Sequence, residues 1–478
     1  MRCLLLTAAL LLSSTLRAEE PHLLSFEQAL DLAFSHNASL RASERELEAM
    51  QDRRRAAFGL RLPSLGLTGT FLHLGEAVEA DLNELKEPLL RLQSGVEAGL
   101  PEPLRPMITS LTQPLLATPW SLTIQEQNVG FVAAELTLPI WMGGRINAAN
   151  RAAAIEEERA ALHIRATRGA IVSALAECYF GFALAREAEG VAREAVKTLE
   201  AHRRDALALK ENGMVAEADL LYVEYRLREA EQRLLELRLQ KKSLHAALGA
   251  TLGIALEAEP ATALFILHEI APLDAFRTEA EACNSTLQEV ALERQLAHEG
   301  VRAARGEGLP EVAAFGGGSL CDYQLSGLLP RWAVGIGVRW RLFNGLNHRY
   351  RHRAARAVER QVEALEDQAR SEVGLLVEKL YHELEFQSEH FQTLSASIRY
   401  AEEYLRTRRV AFREGVARAS ELLDAELDLR ELRMQRLESA YHFDVALARL
   451  LEATDESDKY LNYIRCGEAV GLKNEEKR

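Results

Sequence analysis

LLYVEYRLRE, residues 220–229, returns 202 positions later as LLDAELDLRE, residues 422–431, with six of the ten residues unchanged. Helices rich in leucine, glutamate and arginine match one another by chance, so the weight lies in how far the echo runs. Upstream, ENGMVAEAD (211–219) aligns with REGVARASE (413–421), and Gly213 falls on Gly415. MGGRINAANRAAA (142–154) aligns with FNGLNHRYRHRAA (343–355) at an offset of 201, which sets Gly144 on Gly345. HNASL (36–40) with CNSTL (283–287), and RLPSL (61–65) with GLPEV (308–312), share an offset of 247. The chain therefore reads as two copies of one unit in the same order. The first copy carries roughly 46 extra residues between Pro63 and Gly144.

At 478 residues the chain has length for about three ordinary domains, but the duplication points to one body made of two halves. Residues 1–18 read as a secretory signal: Arg2, an apolar run from Leu4 to Leu12, and a small residue, Ala18, ahead of Glu19. Without Arg2 and Arg17 the formal charge moves from −14 to −16, which disfavours nucleic acid and anionic membrane surfaces as partners. Beyond the signal, no stretch reaches the ~18 consecutive apolar residues of a membrane helix, so any passage through a membrane would be as a β-barrel. Cys178, Cys283, Cys321 and Cys466 lack metal-type spacing and read as small hydrophobes.

Each half follows one plan. A moderate helix comes first, over residues 25–58 and 273–306, the first opened by a capping box of Ser25 and Gln28. Two glycine-rich, roughly alternating runs follow in each half: 64–74 and 129–141, then 311–323 and 332–343. Their length of about ten residues suits membrane barrel strands. Next come two proline-free stretches of 67 residues, Arg145–Glu211 and Asn347–Arg413, each about 100 Å long as a helix. A turn glycine, Gly213 or Gly415, ends each one. Return helices over 216–250 and 419–454 then carry apolar residues stepping by fours and threes: Leu220, Val223, Leu227, Ala230, Leu234 and Leu237, interrupted at Lys241. That is a heptad seam. A return helix and a moderate helix laid end to end match the long one, so the helices are expected to pack side by side as a cylinder. The insertion, 81–116, holds five prolines and reads as an external loop with broken helical turns. The organisation is thus a signal (1–18), a first repeat (19–250), a connecting segment (251–272), a second repeat (273–454) and a polar tail (455–478).

This pattern resembles the TolC-type outer-membrane efflux family over nearly the whole mature chain. The order and spacing carry it: the signal, the tandem halves, two strands per half, and the strand-to-helix junctions LPIWMGGRINAA and RLFNGLNHRY. The resemblance implies a mixed α and β membrane protein, with four barrel strands and long coiled-coil helices in each chain. It implies a homotrimer, with a 12-stranded β-barrel in outer-membrane lipid and an α-helical barrel in the periplasm. A periplasmic adaptor and an inner-membrane pump would complete an efflux or type I secretion system. Physics independent of the family agrees, because four strands cannot close a barrel and open edges are not tolerated in lipid.

Two sets of residues stand out. Asn212-Gly213-Met214 and Glu414-Gly415-Val416 occupy the bends after the long helices. Glycine there is a helix cap, and the resemblance adds adaptor contact. Glu421 and Asp424 lie three apart at the start of a return helix, where acids are favoured anyway. The resemblance places them as acidic rings at the tunnel mouth, selecting cations, and places Asp219 in the links that hold the mouth shut. Phe412 and Ala417 stand where the family pattern has tyrosine and arginine, so the closed state must be held differently. Glu426, five residues after Glu421, falls off that face, so Glu426→Ala is expected to leave selectivity near wild type. His348 and His352 are one turn apart without an evident third ligand. Gly316-Gly317-Gly318 lacks the lysine of a phosphate loop and reads as strand glycine. There is no nucleophile–base arrangement, no cofactor motif and no metal cluster, so an enzyme is not expected. The competing reading is an exported periplasmic coiled-coil scaffold without a pore.

Overall fold

The computed structural model describes residues 22–211, 217–254, 258–326, 330–414 and 416–470. The signal, the bend residues Asn212, Gly213, Met214 and Gly415, and the end of the tail lie outside them. Along the chain run β1 (His22–Leu24), α1 (Phe26–His36), α2 (Ala38–Gly59), β2 (Ser64–His73) and β3 (Val78–Asp81). Then come α3 (Lys86–Gly99), α4 (Arg105–Ala117), β4 (Ser121–Gln125), β5 (Asn128–Trp141), α5 (Arg145–Glu211) and α6 (Glu217–Leu252). After β6 (Ala258–Pro260) and β7 (Leu264–Ile266) the plan returns: α7 (Leu273–Cys283), α8 (Ser285–Gly306), β8 (Glu311–Tyr323), β9 (Trp332–Arg339), α9 (Asn347–Arg413) and α10 (Ala419–Ala453). A short α11 (Tyr460–Cys466) and β10 (Glu468–Val470) follow.

Each moderate helix is two helices, not one. Asn37 breaks the first and Asn284 the second. The Asn37 carboxamide oxygen accepts from the backbone N–H of Ser39 (2.8 Å) and Leu40 (3.3 Å), and its nitrogen donates to Thr251 O (3.2 Å). Asn284 accepts from Leu287 N–H (3.0 Å) and donates to Ala453 O (2.7 Å). One side chain thus caps a helix start and satisfies a carbonyl in the last turn of a return helix, which fixes the two ends against each other. The capping box at Ser25 forms as expected.

The chain divides into two compact units. The first holds Met1–Gln51, Ile155–Ala297 and Val358–Arg478. Its core gathers Phe26, Tyr179, Phe180, Phe265, Phe443 and Tyr460, each at most 2% exposed. Short strands strap it: β1 pairs with β6 in parallel, and β7 with β10 antiparallel. The described part of the expected tail, 455–470, packs on this unit. Tyr460 is fully buried and donates to Asp444 O (3.0 Å). Tyr179 donates to Leu24 O (2.6 Å) and accepts from Thr262 N–H (2.9 Å), so no strap leaves this hydroxyl unsatisfied. The heptad seam of α6 is buried at Leu220, Val223, Leu227, Leu234 and Leu237. At its interruption, the Lys241 ammonium donates to Glu189 (3.3 Å) over the ring of Phe182. One 18-residue window of α5 is apolar enough to cross a membrane, but 67% of it is buried in the body.

The second unit holds Asp52–Ala154 and His298–Ala357. It carries one antiparallel sheet in the order β2-β5-β8-β9, with β2 and β9 at its ends. β3 and β4 pair as a separate ribbon that leads into α3 and α4, so the insertion contains two true helices rather than broken turns. Gly143, at φ +64°, sits where β5 gives way to α5. A Cβ there would meet Gly306 O at 2.4 Å, and one on Gly306 would meet Gly143 O at 2.5 Å. Two backbones cross where neither has a side chain.

Candidate functional site

The sheet has two unlike faces. Register places Leu65 opposite Leu136, Leu136 opposite Gly316, and Gly316 opposite Val334. Leu67, Phe71, Leu138, Ile336 and Val338 share that face, where Leu65 is 74% and Val334 75% exposed. The other face carries Ser64, Gly66, Thr68, Thr70, Thr137, Gly317, Gly335 and Gly337, with the single mid-strand carboxylate Glu135 between Gly66 and Gly317. Gly316-Gly317-Gly318 is strand, as read. Phe315 leans over Gly335, whose Cβ would come within 2.8 Å of the ring. One face is apolar and the other mostly small or polar, with Phe131 and Phe315 as its large apolar members, over strands of eight to fourteen residues; such a sheet suits a boundary between lipid and water.

The second region is the start of α10, where it meets α6 and the ends of α5 and α9. The heptad leucines Leu422, Leu423 and Leu429 are buried there, with Ala425, and they fix which side chains turn outward. Asp424 Oδ1 accepts from Tyr222 Oη at 2.6 Å and lies 3.5 Å from Arg226 Nη2. Arg226 also donates to Tyr222 Oη (3.2 Å) and Glu229 (2.9 Å) and stacks over the Tyr222 ring. Bonding to Asp424 pushes the Tyr222 phenol up from its ordinary value. Glu421 accepts from Arg408 at 2.7 Å, and Arg408 is held by Tyr404 Oη (2.9 Å). Glu421 and Asp424 thus each face an arginine of their own chain. Asp219 is half-buried in the first turn of α6. Glu414 and Val416 are exposed at the bend, Val416 at 83%.

Glu426 lies off the Glu421 face, turned inward. It is 7% exposed, 3.2 Å from His202 Nε2 and 3.0 Å from Arg409 Nη2. Burial opposes its ionisation, yet the bonds and charges of His202 and Arg409 outweigh burial and hold it at about 2. These buried pairs give Glu426 a part in stability. Phe412 packs against the cluster of Ile398, Leu405 and Leu422. Tyr222, Arg226, Arg408 and His202 were not singled out in the sequence. The available signal was the echo itself, because Tyr222 and Asp424 occupy the same position of LLYVEYRLRE and LLDAELDLRE. His348 Nδ1 faces Asn344 Oδ1 at 3.0 Å, and no three metal-ligating side chains converge among the described residues.

The two-faced sheet and the two 67-residue helices suit a channel of the outer membrane. The chain belongs to the outer membrane efflux protein family, whose model matches residues 114–254 and 277–455. It is similar to the CmeC outer membrane channel of Campylobacter jejuni, at 14% identity and a TM-score of 0.72 over 92% of this chain and 88% of that one. It is similar to the open-state MtrE channel of Neisseria gonorrhoeae, at 16% identity and 0.69 over 90% and 89%. CusC matches at 14% and 0.71 over 90% and 91%. No curated protein matches in sequence. The protein is an outer-membrane exit duct for efflux.

Proposed function

We propose that three copies of this chain close a 12-stranded barrel and a helical tunnel, through which substrates delivered by an inner-membrane pump and periplasmic adaptor leave the cell. One observation carries the reading: a four-stranded sheet with a lipid-suited face and two unpaired end strands, β2 and β9. Lipid cannot satisfy those edges, and pairing β9 of one copy with β2 of the next removes them all. Apolar side chains exposed along the helices support it further. Leu221, Tyr225, Leu235 and Leu239 of α6 and Tyr400 of α9 are 57–78% exposed and would be covered by neighbouring copies. Paired helix lengths, 11, 22, 67 and 36 residues against 11, 22, 67 and 35, support reading 19–250 and 273–454 as repeats joined by 251–272.

The mouth lies at the α6 and α10 starts, with Glu421, Asp424 and Asp219 as gate and selectivity residues. Here Tyr222 and Arg226 on Asp424, and Arg408 on Glu421, tie the helices in the closed state. The bends at Asn212-Gly213-Met214 and Glu414-Gly415-Val416 take the adaptor. The pump is of the efflux or the type I secretion class, and the duct itself is passive. Outer-membrane fractionation with heat-modified migration on gels tests the assembly. A heat-labile trimer is expected, and a soluble periplasmic species or a monomeric rod in particle images would end the reading.

A further inference from the structure

The helices α3 and α4 are amphipathic with their polarity misplaced for a lone hairpin. Where they meet, the contact is polar: Glu97 accepts from Gln93 Nε2 (2.9 Å) on α3 and from Thr109 Oγ1 (2.9 Å) on α4. No residue of α3 is buried. Leu85, Leu89, Leu92 and Val96 instead form a stripe at four-three-four spacing, 43–64% exposed, and Leu104, Met107 and Leu111 form another on the α4 side, 46–64% exposed. The α3 stripe spans an arc of roughly 60° at 3.6 residues per turn, displaced from the side that carries Gln93, Glu97 and a further apolar residue, Leu90, 49% exposed. Helices of 14 and 13 residues are marginal in water unless an apolar face is covered. So narrow a stripe is the seam of helix-on-helix packing, whereas a helix lying on lipid shows a broader face.

We propose that the covering surface is the same hairpin of the neighbouring copies, so that three α3–α4 pairs pack through their leucine stripes into a cap at the outer mouth of the barrel. The inference rests on the trimer proposed above. Its location follows from connectivity: the ribbon β3–β4 extends the loop joining β2 and β5, and β2 is an unpaired end strand through which copies would join. The hairpin thus hangs beside the seam between copies, where closure of the barrel brings three of them together. Charges of both signs on the flanks of the stripe, Glu84, Lys86, Glu87 and Arg91, suit a helix–helix rim.

The test uses the full-length protein in intact outer membranes, with Cys178, Cys283, Cys321 and Cys466 replaced by alanine. Leu92→Cys on the stripe is compared with Ser94→Cys on the opposite side of α3. Oxidation should yield about tenfold more disulfide-linked dimer from Leu92→Cys, because packing sets a high effective concentration. A membrane-impermeant maleimide should label Ser94→Cys quickly and Leu92→Cys slowly. An intact trimer in which Leu92→Cys neither links nor resists labelling overturns the cap and leaves the duct standing. Protection without linkage overturns it too, showing the stripe covered by lipid or by its own chain. A Ser94→Cys that labels only after the membrane is broken overturns the external placement. Loss of the trimer in the cysteine-free parent would strike the duct reading first, and the cap with it.

Discussion

At Asp424 a proposed role and an observed one separate: a charge proposed to filter ions and a hydrogen bond that joins two helices. The carboxylate is 48% exposed, so its bond from Tyr222 stabilises the closed arrangement by about 1 kcal/mol. Tyr222→Phe removes the hydroxyl and keeps the charge. It should raise the open fraction roughly fivefold in planar bilayers while cation selectivity stays near wild type. Replacing Glu421 and Asp424 together by alanine does the opposite. It strips both carboxylates and leaves Arg408 and Arg226 to Tyr404, Tyr222 and Glu229, so cation preference and block by divalent ions should fall. A double variant that selects and blocks like wild type would reduce the two acids to a charged first turn. Glu426 acts through stability. Its carboxyl ionises at about 2 in the fold and near 4.5 when free. The stabilisation it brings is therefore whole above about pH 4.5 and fades as pH falls toward 2. Glu426→Gln should cost about 3 kcal/mol at neutral pH and flatten the acid limb, both read from thermal unfolding.

Among the elements, length was the most legible property. Sixty-seven residues without proline ending at glycine mark α5 and α9 to the residue, and alternation places the four sheet strands within a few residues. The breaks at Asn37 and Asn284 were harder to read. Apolar periodicity runs through both, and only the shared Asn-Ala-Ser and Asn-Ser-Thr steps of HNASL and CNSTL hint at a cap. The insertion misled for a physical reason: proline reads as a breaker, yet one falls at N1 or N2 of α4, where it costs no hydrogen bond. The polar contacts around Asp424 and Glu426 were invisible, since pairing across helices depends on rotation about their axes. The two faces of the sheet make a direct prediction. Leu136→Arg, on the apolar face at mid-strand, should cost about 2–4 kcal/mol of insertion energy and deplete the protein from outer membranes. Glu135→Gln, one residue away on the other face, should insert normally and alter conductance alone.

For the molecule as a whole, the 67-residue helices predict a duct roughly 100 Å deep. Particle images of the purified protein should show a threefold object of that length, and a dimer would refute it. The contact of Tyr222 with Asp424 bears on how such a molecule came to be one chain. They are equivalent positions in the two halves, 202 residues apart, yet they touch. If the halves were separate identical subunits, that contact would set a residue against its own kind, two phenols without a charge or two carboxylates in repulsion. Joining the copies in one polypeptide frees each position to differ from its twin, so donor and acceptor can face each other. Exchanging the two residues, Tyr222→Asp with Asp424→Tyr, should keep more of the closed state than either single exchange does. With both copies in one chain, the proposed lock can be made by unlike partners.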